Sequence, residues 1–341
     1  MDLTAWGGPE RRKALVLLGA GASYGAQLGD GPFRARPPLD LGFFGELQKL
    51  APTPGIEGLL SFVREEFGPN LRLSMEEFFS QAEYTDRFHR ELKIDPGPQI
   101  KKYSKALERF YEILPRLFSE AIGDRTCSLH GELASRLFVE DVILSFNYDC
   151  LIDAALRDRA SKRWDPDQRG YGFSVKEGGK WWKKHSGKKG APFKSSITLL
   201  KPHGSFNWKR NSKGDVSLEK APYAIQTARD RIIPPTWFKR LTDKPFAEVW
   251  KRARSEIRAC RVLVVVGYSV PVTDLFSRAL FKAEVGSKEH RQALEFLVLV
   301  NPDPLARNRF ADLVRGGLEA KTRILEFDSL EEFIRSLGTE S

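Results

Sequence analysis

Cysteine and histidine are scarce in this sequence, which has three cysteines and five histidines among its 341 residues. Cys127, Cys150 and Cys260 lie far apart, and no C-x-x-C pair occurs. This spacing supports neither a disulfide framework nor a structural zinc ribbon, so we predict no zinc and no other metal site. Free cysteines are typical of a reducing compartment, and we therefore expect a cytoplasmic protein.

Long apolar runs are missing as well. Residues 1–13 hold no apolar core of a signal peptide. The longest run of β-branched apolar residues, Val262–Val266, is far too short to cross a bilayer. We therefore expect no association with a membrane.

What the chain does have is length, apolar side chains and positive charge. Its 341 residues suggest two domains, or one large domain with an insertion. Hydrophobic residues make up 41%, enough for a sizeable core, and 55 Lys and Arg against 45 Asp and Glu give a net charge of +10. That surplus favours a phosphate-bearing or polyanionic partner, and it does not bear on the fold.

The most informative stretch is K-A-L-V-L-L-G-A-G-A-S-Y-G at residues 13–25. Ala14–Leu18 is an unbroken apolar run of the kind that forms a buried parallel strand. Gly19 and Gly21 then allow a tight turn and the close approach of a phosphate, and the small Ser23 lies where a helix can begin. Tyr24 stands where the dinucleotide fingerprint has its third glycine, so the stretch also fits a plain strand and turn.

Five more apolar runs alternate with helical patterns further along the chain. They predict strands at 141–146, 197–200, 261–266, 296–300 and 323–327. This alternation indicates a doubly wound, mostly parallel, Rossmann-like α/β sheet. Residues 41–137 interrupt it with four or five predicted helices, one of them opened by a capping box of Ser74 and Glu77. We predict a main domain of residues 1–40 and 138–341, with 41–137 as a helical insertion or cap.

Two basic segments each allow two interpretations. Residues 160–195 form a Lys/Trp-rich loop or hairpin within the main domain, which either contacts nucleic acid or is an exposed β-hairpin whose tryptophans cover a small core. Its central residues are Lys180, Trp181, Trp182, Lys183, Lys184, Lys188 and Lys189. The Pro- and Gly-rich loop at 29–39 carries Arg34 and Arg36, which either reach a pyrophosphate or belong to a solvated surface loop.

Polar or glycine-rich groups follow five of the predicted strands, at residues 19–23, 147–149, 203–205, 267–269 and 301–303. Parallel strands place their carboxyl ends along one edge of a sheet, and open α/β sheets bind their ligands at that edge. We therefore expect these five segments to line one crevice.

The five segments carry short motifs in a fixed order: G-A-G-A-S at 19–23, N-Y-D at 147–149, H-G-S at 203–205, G-Y-S at 267–269 and V-N-P at 300–302. In this order and context they resemble the sirtuin superfamily, and more closely its bacterial sirtuin-like NAD-hydrolase branch. The resemblance covers nearly the whole chain apart from details of the helical insertion. It implies a fold that binds NAD as a substrate.

The resemblance also implies roles for single residues. NAD would be bound through its pyrophosphate by Gly19, Ala20, Gly21 and Ser23, and through its adenosine half by Gly267, Ser269 and Asn301, with Tyr268 beside them. Asn147 and Asp149 would face the nicotinamide ribose and carboxamide, and His203 would be the catalytic base. The chemistry is compatible, because nicotinamide leaves a pyridinium as a neutral molecule and only an activated oxygen nucleophile is needed.

Structural roles stay open for the same residues. His203 can be a structural histidine at a strand–loop junction. Asn147 and Asp149 can form an Asx turn that caps the next helix. Asp274 can be a helix cap or a member of the site.

Two departures from the deacylating sirtuins favour NAD cleavage with water as the acceptor. Residues 160–195 contain no cysteine, so the zinc module found there in deacylases is missing, and Tyr268 replaces their usual Thr. We predict an NAD glycohydrolase that releases nicotinamide and ADP-ribose, which the resemblance associates with antiphage defence. The alternatives are an NAD-dependent protein-lysine deacylase and a non-catalytic nucleotide- or nucleic-acid-binding subunit of a defence complex.

Control of this activity is expected to come from outside the chain, because we predict no sensor domain after the closing helix. We therefore hypothesise a homo-oligomer, or a separate defence partner such as a ring-forming ATPase or a nucleic-acid-guided protein.

Overall fold

A computed structural model describes residues 13–28, 35–93, 97–176, 181–182, 197–234, 243–272, 274–286 and 294–337. Six parallel strands form its central sheet in the order β3-β2-β1-β6-β7-β8. They are β1 Ala14–Leu18, β2 Val142–Ser145, β3 Thr198–Leu200, β6 Val262–Val266, β7 Phe296–Val300 and β8 Arg323–Phe327. Two short strands, β4 Trp208–Arg210 and β5 Val216–Leu218, form a separate antiparallel pair.

The predicted doubly wound, mostly parallel α/β sheet is confirmed. Every residue of β1, β6 and β7 is buried, which explains why these strands are unbroken apolar runs. The edge strand β8 buries only Leu325 and Phe327. Its alternating pattern is that of a strand with one face in water.

The order of the strands reverses at the centre of the sheet. From β1 the chain adds β2 and β3 on one side, and it then returns to add β6, β7 and β8 on the other side. The last residue of β1, Leu18, pairs with Ser145 of β2 and Val266 of β6. Ligands of open α/β sheets bind at this kind of switch point, outside the carboxyl ends of the strands.

Five helices occupy the predicted insertion: α2 Phe43–Gln48, α3 Pro54–Phe67, α4 Met75–Leu92, α5 Pro98–Ala121 and α6 Ser128–Arg136. The capping box is present, since the N–H of Glu77 donates to Ser74 Oγ at 3.0 Å. Phe110 of α5 stacks on Phe43 of α2, with ring centroids 4.7 Å apart. These apolar side chains join the same hydrophobic core as the sheet. The division into two domains stays a prediction.

The remaining helices flank the sheet. They are α1 Ala20–Tyr24, α7 Leu151–Arg159, α8 Phe246–Ala259, α9 Leu275–Glu284, α10 Pro304–Val314 and α11 Leu330–Ser336. Asp274, Asp303 and Ser329 cap α9, α10 and α11 through their side chains. Within the described ranges, no helix has the length and apolar character that a membrane crossing requires.

The Lys/Trp-rich segment is described only in part. Residues 160–176 and 181–182 contain no strand, so the described residues give no support to the hairpin interpretation. Trp182 is buried and its Nε1 donates to the carbonyl of Glu219 at 2.8 Å, while the Arg157 guanidinium lies 4.3 Å from the ring of Trp181. The predicted nucleic-acid contact falls on Lys180, Lys183, Lys184, Lys188 and Lys189, which lie outside the described residues, as does Arg34.

Candidate active site

The glycine turn after β1 is closed against the end of β6. The N–H of Gly19 donates to the carbonyl of Val266 and the N–H of Gly21 to that of Gly267, both at 2.9 Å. A Cβ on Gly19 would lie 2.6 Å from the Gly267 carbonyl oxygen, and one on Gly267, whose φ is +62°, would lie 2.2 Å from the Ala22 nitrogen. Glycine is therefore required here for the close approach of two backbones at the switch point.

A chain of hydrogen bonds joins this turn to the N-Y-D segment after β2. The Nδ2 of Asn147 donates to the Gly19 carbonyl and to Ser23 Oγ, both at 2.9 Å. Ser23 Oγ in turn donates to Asp149 Oδ2 at 2.7 Å. Because the Gly19 carbonyl can only accept, the orientation of the Asn147 amide is fixed.

Asp149 has a structural role in this arrangement. Its Oδ1 accepts from the N–H of Leu151 at 3.0 Å, which is an Asx turn at the start of α7. The side chain is buried and both carboxylate oxygens are engaged. Asn147, in contrast, is half-buried, and in the described part of the chain its Oδ1 accepts no hydrogen bond.

His203 lies after β3 at the same carboxyl edge, in a buried group of aromatic rings. Its imidazole stacks on Phe146, with centroids 4.9 Å apart and planes 24° apart. The rings of Trp250 and Tyr148 lie at 6.0 Å and 6.3 Å. Trp250 reaches this place from α8 and is held there by a hydrogen bond from its Nε1 to the Pro202 carbonyl.

The turn that carries His203 is fixed by residues 231–233. The N–H of Ile233 donates to the His203 carbonyl at 2.8 Å, and the N–H of Ser205 donates to the Arg231 carbonyl at 3.2 Å. Gly204 between them has a φ of +86°, and a Cβ there would lie 2.2 Å from the Arg231 carbonyl oxygen. The middle residue of H-G-S is therefore a conformational requirement of the turn.

A buried lysine connects the N-Y-D and H-G-S segments. Lys201 is fully buried, and its Nζ donates to the Asp149 carbonyl at 2.5 Å, to Ser205 Oγ at 2.7 Å and to Asp153 Oδ2 at 2.9 Å. Burial alone would lower the pKa of Lys201, but the Asp153 carboxylate, together with the charges of Cys150 and Asp149, more than compensates and raises it. Lys201 is therefore charged, with all three of its donors used.

The partner of this lysine is also completely enclosed. Asp153 projects from the first turn of α7, and its Oδ1 accepts from Tyr171 Oη at 2.5 Å and from Asn207 Nδ2 at 3.3 Å. The N–H of Phe206 adds a backbone bond to the Tyr148 carbonyl at 3.0 Å. These contacts make the two strand-end segments one rigid unit.

The charges of two carboxylates act on Tyr148 of this unit: Asp40, just before the insertion, and Asp274, at the start of α9. Asp274 caps α9 through its Oδ1 and accepts from Tyr268 Oη at 3.1 Å through its Oδ2. Asp40 accepts from the N–H of Glu76 at 3.0 Å. Burial raises the pKa of Asp40, and the nearby charge of Asp274 contributes to the rise. Burial also raises the pKa of Tyr268 well above its ordinary value, and Asp274 adds to that effect.

The predicted adenosine side of the site is more open. Ser269 is exposed, and its carbonyl accepts from Arg309 Nε at 3.1 Å. Asn301 Oδ1 accepts from the N–H of Asp303 at 3.0 Å, so this side chain supports the start of α10. Arg309 adds a positive charge beside both segments.

The structure thus brings the predicted segments to one edge of the sheet, and it joins Gly19, Ser23, Asn147 and Asp149 directly. Whether these residues bind NAD stays a prediction. Sequence reasoning missed Phe146 and Trp250, which surround His203, and the pair of Lys201 and Asp153. The pair follows from the burial of Lys201, because a buried charge needs a partner, and burial is visible only in the structure.

The strand order and its switch point define an open, doubly wound α/β protein, a class whose ligands bind at the carboxyl edge of the sheet. No family model matches the chain, and no curated protein matches it.

Among solved structures the chain is similar to Sir2 proteins. One, from work on the mechanism and regulation of Sir2 enzymes, matches over 96% of this chain and 90% of its own, at 13% identity and a TM-score of 0.39. A mutant Sir2 homologue in complex with ADP-ribose matches over 93% of this chain and 96% of its own, at 15% identity and a TM-score of 0.36. A further mutant Sir2 homologue, in complex with 2′-O-acetyl ADP-ribose, matches over 95% of this chain and 99% of its own, at 16% identity and a TM-score of 0.34. Likeness at such TM-scores carries no argument about function.

Proposed function

We propose that this chain is an NAD glycohydrolase that cleaves the bond between nicotinamide and ribose to give nicotinamide and ADP-ribose. The observation that carries the proposal is the hydrogen-bond chain from Gly19 through Asn147 and Ser23 to Asp149. It ties the glycine turn and the N-Y-D segment together beside the switch point. Lys201 ties the H-G-S segment to the same unit.

The polar groups suit a dinucleotide with a cleavable ribose. Asn147 has a fixed amide whose Oδ1 is available to orient a ribose hydroxyl or a water molecule. Arg309 and the net charge of +10 favour a pyrophosphate. Since the N–H groups of Gly19 and Gly21 already donate to the carbonyls of Val266 and Gly267, these glycines serve NAD by allowing close approach and not as hydrogen-bond donors.

The reaction requires little from the protein beyond positioning and one proton acceptor. Water forms a bond to the anomeric carbon of the ribose, and the electron pair of the broken bond passes to the pyridinium, which leaves as neutral nicotinamide. His203 accepts the proton of the attacking water. The aromatic rings of Phe146 and Trp250 exclude bulk water around the imidazole. The face of an aromatic ring also attracts positive charge, such as that of an oxocarbenium-like ribose.

A lysine deacylase is the alternative with the same NAD chemistry. The sequence argues against it, because no cysteine occurs between Cys150 and Cys260, where deacylases carry their zinc module. A role in cytoplasmic antiphage defence, with a homo-oligomer or a separate ATPase or nucleic-acid-guided partner, is proposed on the motif resemblance alone. The non-catalytic alternative is supported by the net charge and predicts binding of nucleic acid that weakens steeply with salt.

The test is to incubate purified protein with NAD, with and without nucleic acid, and to separate the products by chromatography. We expect nicotinamide and ADP-ribose from the wild type, and no turnover from His203→Ala or Asn147→Ala variants with unchanged circular dichroism. His89→Ala and Asn211→Ala are matched controls outside the site and should retain activity. Formation of acetyl-ADP-ribose from an acetylated peptide would identify a deacylase, and unchanged NAD in every condition would favour the non-catalytic alternative.

A further inference from the structure

A cavity lies beside the segment that leaves the glycine turn. Its volume is about 980 Å³, and its lining includes Tyr24, Arg36, Cys127, Ser128 and Arg159. Neither His203 nor Asn147 lines it. The cavity therefore contains neither of the two residues whose replacement is expected to abolish NAD cleavage.

A cysteine and a histidine form a close pair at this cavity. Cys127 is the N-cap of α6, and the N–H of His130 donates to its Sγ at 3.4 Å. The Nδ1 of His130 lies 2.9 Å from the same sulfur. Spacing of three residues on one helix turn brings the imidazole back over the thiol. The sulfur thus meets an imidazole, a backbone N–H and the positive end of a nine-residue helix.

The charges around the pair favour its ionised form. Burial of Cys127 opposes ionisation, but the hydrogen bond and charge of His130 outweigh it and lower the pKa of the thiol. Burial likewise opposes protonation of His130, yet the contact with Cys127, helped by the charge of Asp149, raises the pKa of the imidazole. Both shifts favour the form in which the sulfur is negative and the imidazole is positive.

The two other cysteines provide an internal comparison. Cys150 is buried beside Asp153, and burial raises the pKa of its thiol to about 12. Cys260 is buried, and its Sγ donates to the Ile257 carbonyl at 3.2 Å. Neither lines the cavity. Only Cys127 combines a cavity with an adjacent imidazole.

We propose that Cys127 and His130 form a thiolate–imidazolium pair that makes this cavity a covalent modification site for small soft electrophiles, the class that includes haloacetamides and hydrogen peroxide. The thiolate is the reactive nucleophile of a cysteine. Cys127 lines the cavity but is only 3% exposed, so the site admits small reagents. Neither residue of the pair has a role in the NAD cleavage proposed above.

The bond changes are simple. With iodoacetamide, the Cys127 sulfur forms a bond to carbon, the carbon–iodine bond breaks and iodide leaves, while His130 retains its proton. With hydrogen peroxide, a sulfur–oxygen bond forms and the oxygen–oxygen bond breaks. The leaving hydroxide takes the imidazolium proton to become water, so the cysteine is oxidised to a sulfenic acid and the peroxide is reduced.

The test is brief treatment of the native full chain with iodoacetamide at neutral pH, followed by mass mapping of each cysteine. We expect Cys127 to react at least about tenfold faster than Cys150, whose thiol pKa burial raises to about 12, since one unit of pKa changes the thiolate fraction by about that factor. Cys127 should also react faster than Cys260, which does not line the cavity. In urea all three should react at similar rates, which is the control for intrinsic reactivity. Native protein in which Cys127 stays unmodified, or in which all three react alike, would overturn the proposal.

Three variants separate activation of the thiol from mere access to it. A Cys150→Ala, Cys260→Ala double variant should take up one label at the wild-type rate, and Cys127→Ala should take up none at that rate. His130→Gln keeps a polar side chain without the charge, and it should slow labelling of Cys127 about tenfold for each unit of thiol pKa regained. A folded His130→Gln protein that labels at the wild-type rate would contradict the pair. If this variant does not fold, the comparison of the three cysteines in the wild-type protein decides the question.

Discussion

Replacement of Lys201 by methionine tests the buried unit beneath the candidate site. Met fills a similar volume but donates nothing, so the Asp149 carbonyl and Ser205 Oγ lose a donor and Asp153 loses its counter-charge. Asp153 and Lys201 are both fully buried, so water cannot replace the lost interaction. Removing one partner of a buried ion pair costs about 3–5 kcal/mol of unfolding free energy. That is a large part of the roughly 5–15 kcal/mol typical of a folded protein.

The measurement is unfolding in urea, with the surface pair of Lys176 and Asp215 as the matched control. Lys176 is also bonded to an aspartate, but its side chain is 62% exposed, so Lys176→Met should leave the urea midpoint unchanged. A Lys201→Met protein with the same midpoint as the Lys176→Met protein would refute the reasoning.

A double variant identifies the source of the loss. If an uncompensated Asp153 charge destabilises Lys201→Met, then adding Asp153→Asn removes that charge and should recover part of the stability. The losses of unfolding free energy in Lys201→Met alone and in Asp153→Asn alone should then sum to more than the loss in the double variant. The excess should be well over the roughly 0.5 kcal/mol by which independent sites depart from additivity. Simple additivity would contradict a coupled pair.

Three further predictions concern single residues. Gly204→Ala should destabilise the protein, because the new Cβ meets the Arg231 carbonyl. Gly45 lies within a helix with open space around it, so Gly45→Ala should stabilise the protein by about 0.5–1 kcal/mol. Thermal unfolding of both variants measures these effects. Ser23→Ala removes the hydroxyl that bridges two site residues and should lower NAD cleavage and stability together, as product chromatography and thermal unfolding would show. Burial raises the pKa of Cys150 from 9.0 to about 12, so its stabilising effect is complete below pH 9 and is lost as the pH rises toward 12. Unfolding free energy should fall in that window by up to about 1.4 kcal/mol per pH unit from this group, and less steeply in Cys150→Ala.

The sheet could be predicted because its strands are nearly continuous apolar runs. The predicted bounds of β1, β7 and β8 match the structure at every residue. The predicted strands at 141–146, 197–200 and 261–266 are one residue too long at one or both ends. The excess residues include Asp141, whose carboxylate accepts backbone N–H groups from Ala14 and Phe138 in place of extending the strand.

Much of the candidate site depends on contacts between distant parts of the chain, which no local pattern encodes. Trp250 reaches His203 from α8, and Arg231 fixes the H-G-S turn from a loop. Local rules do explain two residues whose roles were open, since Asp149 forms an Asx turn and Asp274 caps α9. The sequence predicts no role for His130, because the cavity beside its partner Cys127 is a tertiary feature that no local pattern encodes.

The most direct test of the central claim is a crystal structure of the His203→Ala variant with NAD, since a variant without the base should bind NAD and leave it uncleaved. We predict a dinucleotide across the switch point, with its pyrophosphate beside the Gly19–Gly21 turn and its nicotinamide ribose beside Asn147. NAD bound elsewhere, or a candidate site without NAD at a saturating concentration, would contradict the account.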